Sequence, residues 1–387
     1  MPSSAPPSSH PSFPGRLALQ QRVLPVYRAP FFDLLAGSCL GGLSVFAGQP
    51  LLVEGIASAE SLNHAEYVPA RNIHFGDPST RFYLCWQRGV VDWLEKVDPD
   101  ALILEANPRY LSNRKAIRWM KERGRPVLGW GLGAPPLGGI LSPVRRRSRL
   151  SFLRSLDGIL AYSQKGAAEY RALGLPPGRI FAATNSATPR PERPLPHRPD
   201  ILDGPPVVLF VGRLQARKRV DILFQACAAL PEEIRPLVLV VGDGPARPQF
   251  EALAEQLYPQ VEFVGAKFGW DTEPYFERAD LFALPGTGGL AVQQAMSYAL
   301  PVIVAKGDGT QDDLVRPENG WQVTPGDQGA FTAALREALS DIPRLRHMGA
   351  ESYRIVVEEI NIEEMASSFI YAIMTLIGES SHDIYRI

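Results

Sequence analysis

The chain has 387 residues, more than one ordinary core accommodates, so two domains are expected. Hydrophobic residues at 45% and charged ones at 21% exclude a disordered chain, and 40 basic against 41 acidic residues (formal charge −1) exclude a global attraction to nucleic acid. Three scattered cysteines (Cys39, Cys85, Cys227) and six histidines without H-x3-H or H-E-x-x-H spacing exclude a disulfide framework and point to no metal site.

Residues 1–15, MPSSAPPSSHPSFPG, lack the basic and apolar regions of a signal peptide and read as a disordered lead-in. Residues 16–187 then offer short apolar runs: LSVFA (43–47), ALILE (101–105), PVLGW (126–130), GILAY (158–162) and IFAA (180–183). Amphipathic segments such as WQRGVVDWLEKV and SNRKAIRWMKERG separate them, the second with Ser112 as expected N-cap. Residues 188–204 open a stretch, TPRPERPLPHRPDILDGPP, whose seven prolines make an extended linker. Residues 205–343 offer VVLFV (207–211), LVLVV (237–241), VEFV (261–264), LFAL (281–284) and PVIVA (301–305). Residues 344–387 read as two helices broken near Asn361, with a return to the first domain as one option. Continuous apolar strands between helices predict parallel sheets covered on both faces, hence two doubly wound α/β (Rossmann-like) domains facing a cleft. No apolar run approaches the ~20 residues of a membrane span, so a cytoplasmic chain is expected.

Ligands in such sheets sit outside the carboxyl ends of the strands, which directs attention to three loops of the second domain. The first, Gly212-Arg-Leu-Gln-Ala-Arg-Lys-Arg219, packs four cations into seven positions, an arrangement that an anion would relieve. The second, Gly242-Asp-Gly-Pro245, is a tight turn with Pro245 expected at the first helical position. The third, Gly286-Thr287-Gly288-Gly289-Leu290, opens a helix whose N-terminal amides suit a diphosphate. Taken alone, Gly286-x-Gly288-x-x-Ala291 followed by Asp308 also fits a dinucleotide site, so an NAD-dependent enzyme or an epimerase stays open on spacing.

The order FVGRLQARKRVDIL, LVVGDGPARPQFEALAEQL, VEFVGA, YFERADLFALPG, GGLAVQQAMSYALPVIVA, NGWQVTPGD resembles the donor domain of GT-B-fold, retaining glycosyltransferases of family 4, over residues 205–330. The first half is similar to bacterial acceptor domains through LPVYRAPFFDLLA (24–36), LEANPRYLSNRKA (104–116) and AYSQKGAAEYRALG (161–174). The resemblance implies a nucleotide-diphosphate-sugar donor, a glycan or lipid-linked acceptor, retention of configuration, and neither cofactor nor metal. It places Arg213 and Lys218 on the donor diphosphate, with Gly212, Gly242, Gly244, Gly286, Thr287, Gly288, Gly289 and Leu290 around it. Gln294 and Gly286 stand where the family has the two glutamates of its Glu-x7-Glu motif, and Leu132 where many relatives place a histidine. Those departures keep open a nucleotide-sugar-binding protein with decayed catalysis.

On the acceptor side, Arg28, Glu105 and Asn107 lie in loops or at strand ends of the first domain. For Glu105 a structural ion pair with Arg109 is the favoured reading. The run 143–156 interleaves five arginines with Leu150, Phe152, Leu153 and Leu156, so a peripheral membrane contact stands beside a solvated helix face.

Overall fold

The computed structural model describes residues 11–77, 80, 82–139, 142–307 and 309–384, with side chains of the last helix described to residue 378. The chain forms two units, Met1–Ala187 with Ile362–Ile387, and Thr188–Asn361.

The first unit is built on strands β1 (Leu17–Val23), β2 (Leu43–Gly48), β3 (Glu66–Pro69), a hairpin of β4 (Arg71–Phe75) and β5 (Leu84–Arg88), then β6 (Ala101–Glu105), β7 (Val127–Gly131), β8 (Gly158–Ala161) and β9 (Ile180–Ala182). Seven strands form one parallel sheet in the order β3-β2-β1-β6-β7-β8-β9, so the direction of winding switches between β1 and β6. Its two faces are covered by separate cores. One gathers Phe31, Phe32, Trp130 and Phe369, with ring centroids 5.1–6.4 Å apart; the other gathers Trp93, Trp119, Phe152 and Tyr170. Fully burying each large apolar side chain stabilises by roughly 1.5–3 kcal/mol, so Phe369 alone fastens the last helix firmly to this sheet.

The second unit holds β10 (Val207–Val211), β11 (Leu237–Val241), β12 (Val261–Gly265), β13 (Leu281–Leu284), β14 (Val302–Ala305) and β15 (Gly320–Val323). All six are parallel in the order β12-β11-β10-β13-β14-β15, with the switch between β10 and β13. Strands β10, β11, β13 and β14 are buried over nearly their whole length, as the unbroken apolar runs demand.

Among the described residues, one stretch, Ile342–Gly378, is long and apolar enough by length and composition to cross a membrane. It is two helices, Ile342–Glu358 and Ile362–Ile384. Ile355 and Val356 of the first enter the core of the second unit, whereas Phe369, Ile370 and Ile373 of the second enter the first unit.

Three local readings are corrected. Ser112 precedes a helix, Asn113–Lys121, but its backbone is already helical and its hydroxyl accepts from the Gln87 amide at 3.2 Å instead of capping. Pro245 lies outside the helix that follows, which starts at Arg247 with Pro248 in its first turn. The segment WQRGVVDWLEKV is half strand: Trp86–Arg88 end β5, and the helix begins only at Val90 after Gly89 at φ 85°.

Candidate donor site at the switch point of the second unit

Strands β10 and β13 are neighbours, so the loops that leave their carboxyl ends must meet. Gly212 follows β10 and the chain turns through a short helical turn, Ala216–Lys218. Lys218 Nζ donates to the Thr287 carbonyl at 2.6 Å, and Arg217 donates from its guanidinium to Thr287 Oγ1 at 3.1 Å. Burial, then the neighbouring Arg217 charge, brings the Lys218 ammonium down to about 8. Arg219 does not share this crowding, because Asp221 pairs with it at 3.0 Å.

The glycines of this region have separate causes. Gly242 sits at φ 147°, and a Cβ there would overlap the Gly212 carbonyl; Gly244, at φ 159°, approaches the Leu214 backbone in the same way. Both therefore let the β11 loop lie directly on the β10 loop. Gly288, at φ 142°, has the Lys218 ammonium where a side chain would begin. Gly289 caps the helix Leu290–Ser297, and no side chain of the cap closes its N-terminus. The first-turn amides thus point the positive end of a helix beside Lys218.

Gly286 explains the missing first glutamate in physical terms. It is buried, and a Cβ would run into the Arg217 carbonyl and the Lys218 backbone, so no larger side chain fits this shortened loop. Gln294 lies one turn into the helix, where its side-chain amide donates to Thr272 Oγ1 at 3.0 Å and leaves the carbonyl oxygen as the acceptor. Arg213 is exposed at the end of β10. Asp308, the ribose candidate of the dinucleotide reading, lies outside the described residues.

Two contributors were missed by sequence reasoning. Gln311 donates to the Gly288 carbonyl, and Thr310 stands against Gly289, both from the first turn of the short helix Thr310–Leu314 that follows β14. The polar run GDGTQDD at a strand end was the available signal. Thr272, which holds Gln294, had none.

In the first unit, the switch point lies between β1 and β6. Glu105 ends β6 and Arg22 sits in a bulge of β1, where the register with β2 slips between Gln21 and Val23. The Glu105 carboxyl accepts from the Arg22 backbone N–H and the Tyr110 hydroxyl, and burial raises it to about 7. Arg22 itself pairs with Glu54 at 2.6 Å. The expected Glu105–Arg109 pair is corrected: Arg109 Nε donates to Asn107 Oδ1 at 3.3 Å instead. Asn107 is therefore occupied in shaping its own loop.

Arg28 is also placed differently from an acceptor-facing loop residue. It is 4% exposed, and its guanidinium donates to the Ser186 carbonyl at 3.0 Å and to Asn185 Oδ1, with the Trp130 ring 4.8 Å away. These groups are internal to the unit. The helix Ser142–Leu153 buries Phe152 and Leu153, and Leu156 follows suit, so the apolar side chains required for a membrane contact through 143–156 are spent on the core. Leu132, in the histidine position, is 40% exposed after β7.

Residues 205–341 match the family model described as glycosyl transferases group 1. The sulfoquinovosyl transferase of Arabidopsis thaliana is 32% identical over 142 residues, 35% of this chain and 27% of that protein. The chain spans between about a quarter and a half of the first curated relatives it matches. Among solved structures, the lipopolysaccharide outer core galactosyltransferase WaaB superimposes with TM-score 0.62 at 17% identity, covering 92% of this chain and 99% of WaaB. The Anabaena protein HepE in complex with UDP gives TM-score 0.61 at 15% identity, covering 96% and 100%. The α/β fold with two Rossmann-like units is shared with solved glycosyltransferases of the GT-B fold, and it is residues 205–341 that match the glycosyl transferases group 1 model.

Proposed function

We propose that the chain transfers a sugar from a nucleoside-diphosphate donor to a glycan or lipid-linked acceptor, with retention of configuration. The observation that carries this reading is the Lys218–Thr287 contact, which brings a cation to the N-terminus of a glycine-led helix at the switch point. Departure of a nucleoside diphosphate builds negative charge on the leaving phosphate. Arg213, Lys218 and the amides of Gly288, Gly289 and Leu290 are donors that favour this added charge over the intact diphosphate diester, which carries one negative charge fewer. This requires no cofactor and no metal. Gln294 keeps an acceptor oxygen for a ribose hydroxyl, which suits the role of the family's second glutamate. On the acceptor side, Glu105 is the group at the switch point of the first unit whose carboxyl can hold a hydroxyl.

The test is Arg213→Ala with UDP-glucose as the first donor assayed, because a structural neighbour was solved with it. Hydrogen bonds to a charged group are worth ~1.5–3 kcal/mol, so turnover should fall roughly ten- to a hundredfold with an unchanged melting temperature. Near-normal turnover in this variant would remove the assignment. A second reading, a nucleotide-sugar-binding protein without turnover, is favoured by one observation: the Gly286 position cannot hold the glutamate that would touch the transferred sugar. Binding of UDP-glucose without release of UDP across an acceptor panel would decide for it.

A further inference from the structure

The hairpin of β4 and β5 has its polarity inverted. A half-exposed strand pair ordinarily turns apolar side chains inward. Here the inward residues are Asn72, His74, Cys85 and Gln87, of which Asn72 and Gln87 clamp the hairpin to the sheet. Asn72 Nδ2 donates to the carbonyls of Arg22 and Gln49 at 2.8 and 3.0 Å, and Gln87 Nε2 donates to the Gln21 carbonyl at 2.9 Å. The outward residues are Arg71, Ile73 and Phe75 on β4, and Leu84, Trp86 and Arg88 on β5.

Register joins these into one surface. Ile73 faces Trp86 and Phe75 faces Leu84 across the strands, with Ile73, Phe75 and Leu84 exposed by 38%, 50% and 36%. Arg71 stands directly opposite Arg88, and the Lys115 ammonium lies 5.0 Å from the Trp86 ring centroid. Like charges directly opposite on a strand pair repel, and among the described residues neither arginine is in an ion pair. Three cations thus border an apolar patch.

We propose that this face docks on an anionic lipid bilayer. Ile73, Phe75, Leu84 and Trp86 enter the boundary between headgroups and acyl chains, and Arg71, Arg88 and Lys115 meet the lipid phosphates. Charge complementarity selects this occupant. A second copy of the chain would bring the same cations against one another, and a nucleic acid would leave four apolar side chains unused. The inference does not depend on the donor reading, since no residue of the second unit takes part.

The test is flotation of the full chain with vesicles of equimolar phosphatidylcholine and phosphatidylglycerol at low salt, with phosphatidylcholine vesicles alone as comparison. The chain is expected to float with the anionic vesicles only, and to be released by high salt. The pair Arg71→Gln with Arg88→Gln should weaken partitioning by roughly twentyfold or more, at about fivefold per cation. The pair Phe75→Ser with Leu84→Ser should weaken it by at least about tenfold. Both pairs alter exposed side chains, and unchanged melting temperatures check that they fold. Failure of the wild-type chain to float, or flotation of the arginine pair at the wild-type level, overturns the proposal. So does a dimer in solution that the Phe75 and Leu84 pair dissociates, which would assign the face to a second copy.

Discussion

The Lys218 ammonium donates to the Thr287 carbonyl oxygen at 2.6 Å, across 69 residues of sequence. One side chain thereby bridges the two loops of the switch point, and it does so at a cost. Its charge is disfavoured by burial and by Arg217, so it holds its proton only up to about 8.

That cost makes donor binding depend on pH. A diphosphate is held best by the ammonium form, so UDP affinity should be level between about 6.5, above which the terminal phosphate is ionised, and about 8, and should fall by about tenfold over the next pH units. Calorimetry in buffers of different ionisation enthalpy should show proton uptake on UDP binding in that upper range. The sign for stability is opposite. The unfolded chain binds this proton up to 10.5 and the folded chain only to about 8, so the ligand-free protein gains stability as pH rises between those values. Lys218→Met should abolish both dependences, and a UDP affinity that stays flat across the same window would contradict the assignment.

Two glycines separate binding from folding. Alanine at Gly288 meets the far end of a flexible lysine, so Lys218 is displaced and UDP affinity should fall about tenfold, with strain from the positive φ lowering stability by about 1–2 kcal/mol. Alanine at Gly242 meets the Gly212 carbonyl, which is backbone and cannot yield. That substitution should cost about 3 kcal/mol or more of stability, read as a shifted urea midpoint. Equal effects of the two on binding and on stability would show that the loops are not stacked in this way.

The strands most legible in the sequence were those buried on both faces. VVLFV and LVLVV have no polar residue to confuse the pattern, and both matched their strands residue for residue. Strand β1 was missed because LALQQRV carries Gln20, Gln21 and Arg22. Gln20 and Gln21 are buried; the Gln21 side chain bonds to the neighbouring Gln20 carbonyl, and that of Gln20 bonds to Gln87, a pairing that only the folded chain supplies. The β4–β5 hairpin was invisible for a related reason: its inward face is polar, so periodicity reads it inside out. The donor loops were readable because glycine and clustered cations are local signals. Arg28 and Asn107 were not, since whether an arginine or asparagine faces a ligand or its own domain is decided by the folded chain, through the distant Ser186 and Asn185 for Arg28 and through the turn that brings Arg109 onto Asn107.

Arg28 is expected to act on stability. Arg28→Met leaves the Ser186 carbonyl and the Asn185 side chain without their buried donor, at about 2–4 kcal/mol. Thermal melts should record this loss while UDP affinity stays unchanged. Arg28→Lys should rescue little, because one ammonium cannot reproduce both bonds of the planar guanidinium and its position over Trp130. A stable Arg28→Met protein with weakened transfer would return this residue to the acceptor side.

Glu105 carries the last prediction. Burial raises its carboxyl to about 7 from an ordinary 4.5, so the neutral form is the one the fold favours. Its contribution to stability is fully present below about 4.5 and is lost as pH rises through about 7. Glu105→Gln removes the ionisation and keeps an oxygen for the Arg22 N–H or the Tyr110 hydroxyl. The variant should therefore melt within about 2 °C of wild type at acid pH and about 2–4 °C above it at pH values beyond 7. If the same carboxylate holds an acceptor hydroxyl, transfer should fall at those higher pH values while UDP affinity does not change. A variant that is less stable than wild type at every pH would mean that Glu105 is held as an anion, with Arg22 and Tyr110 outweighing its burial.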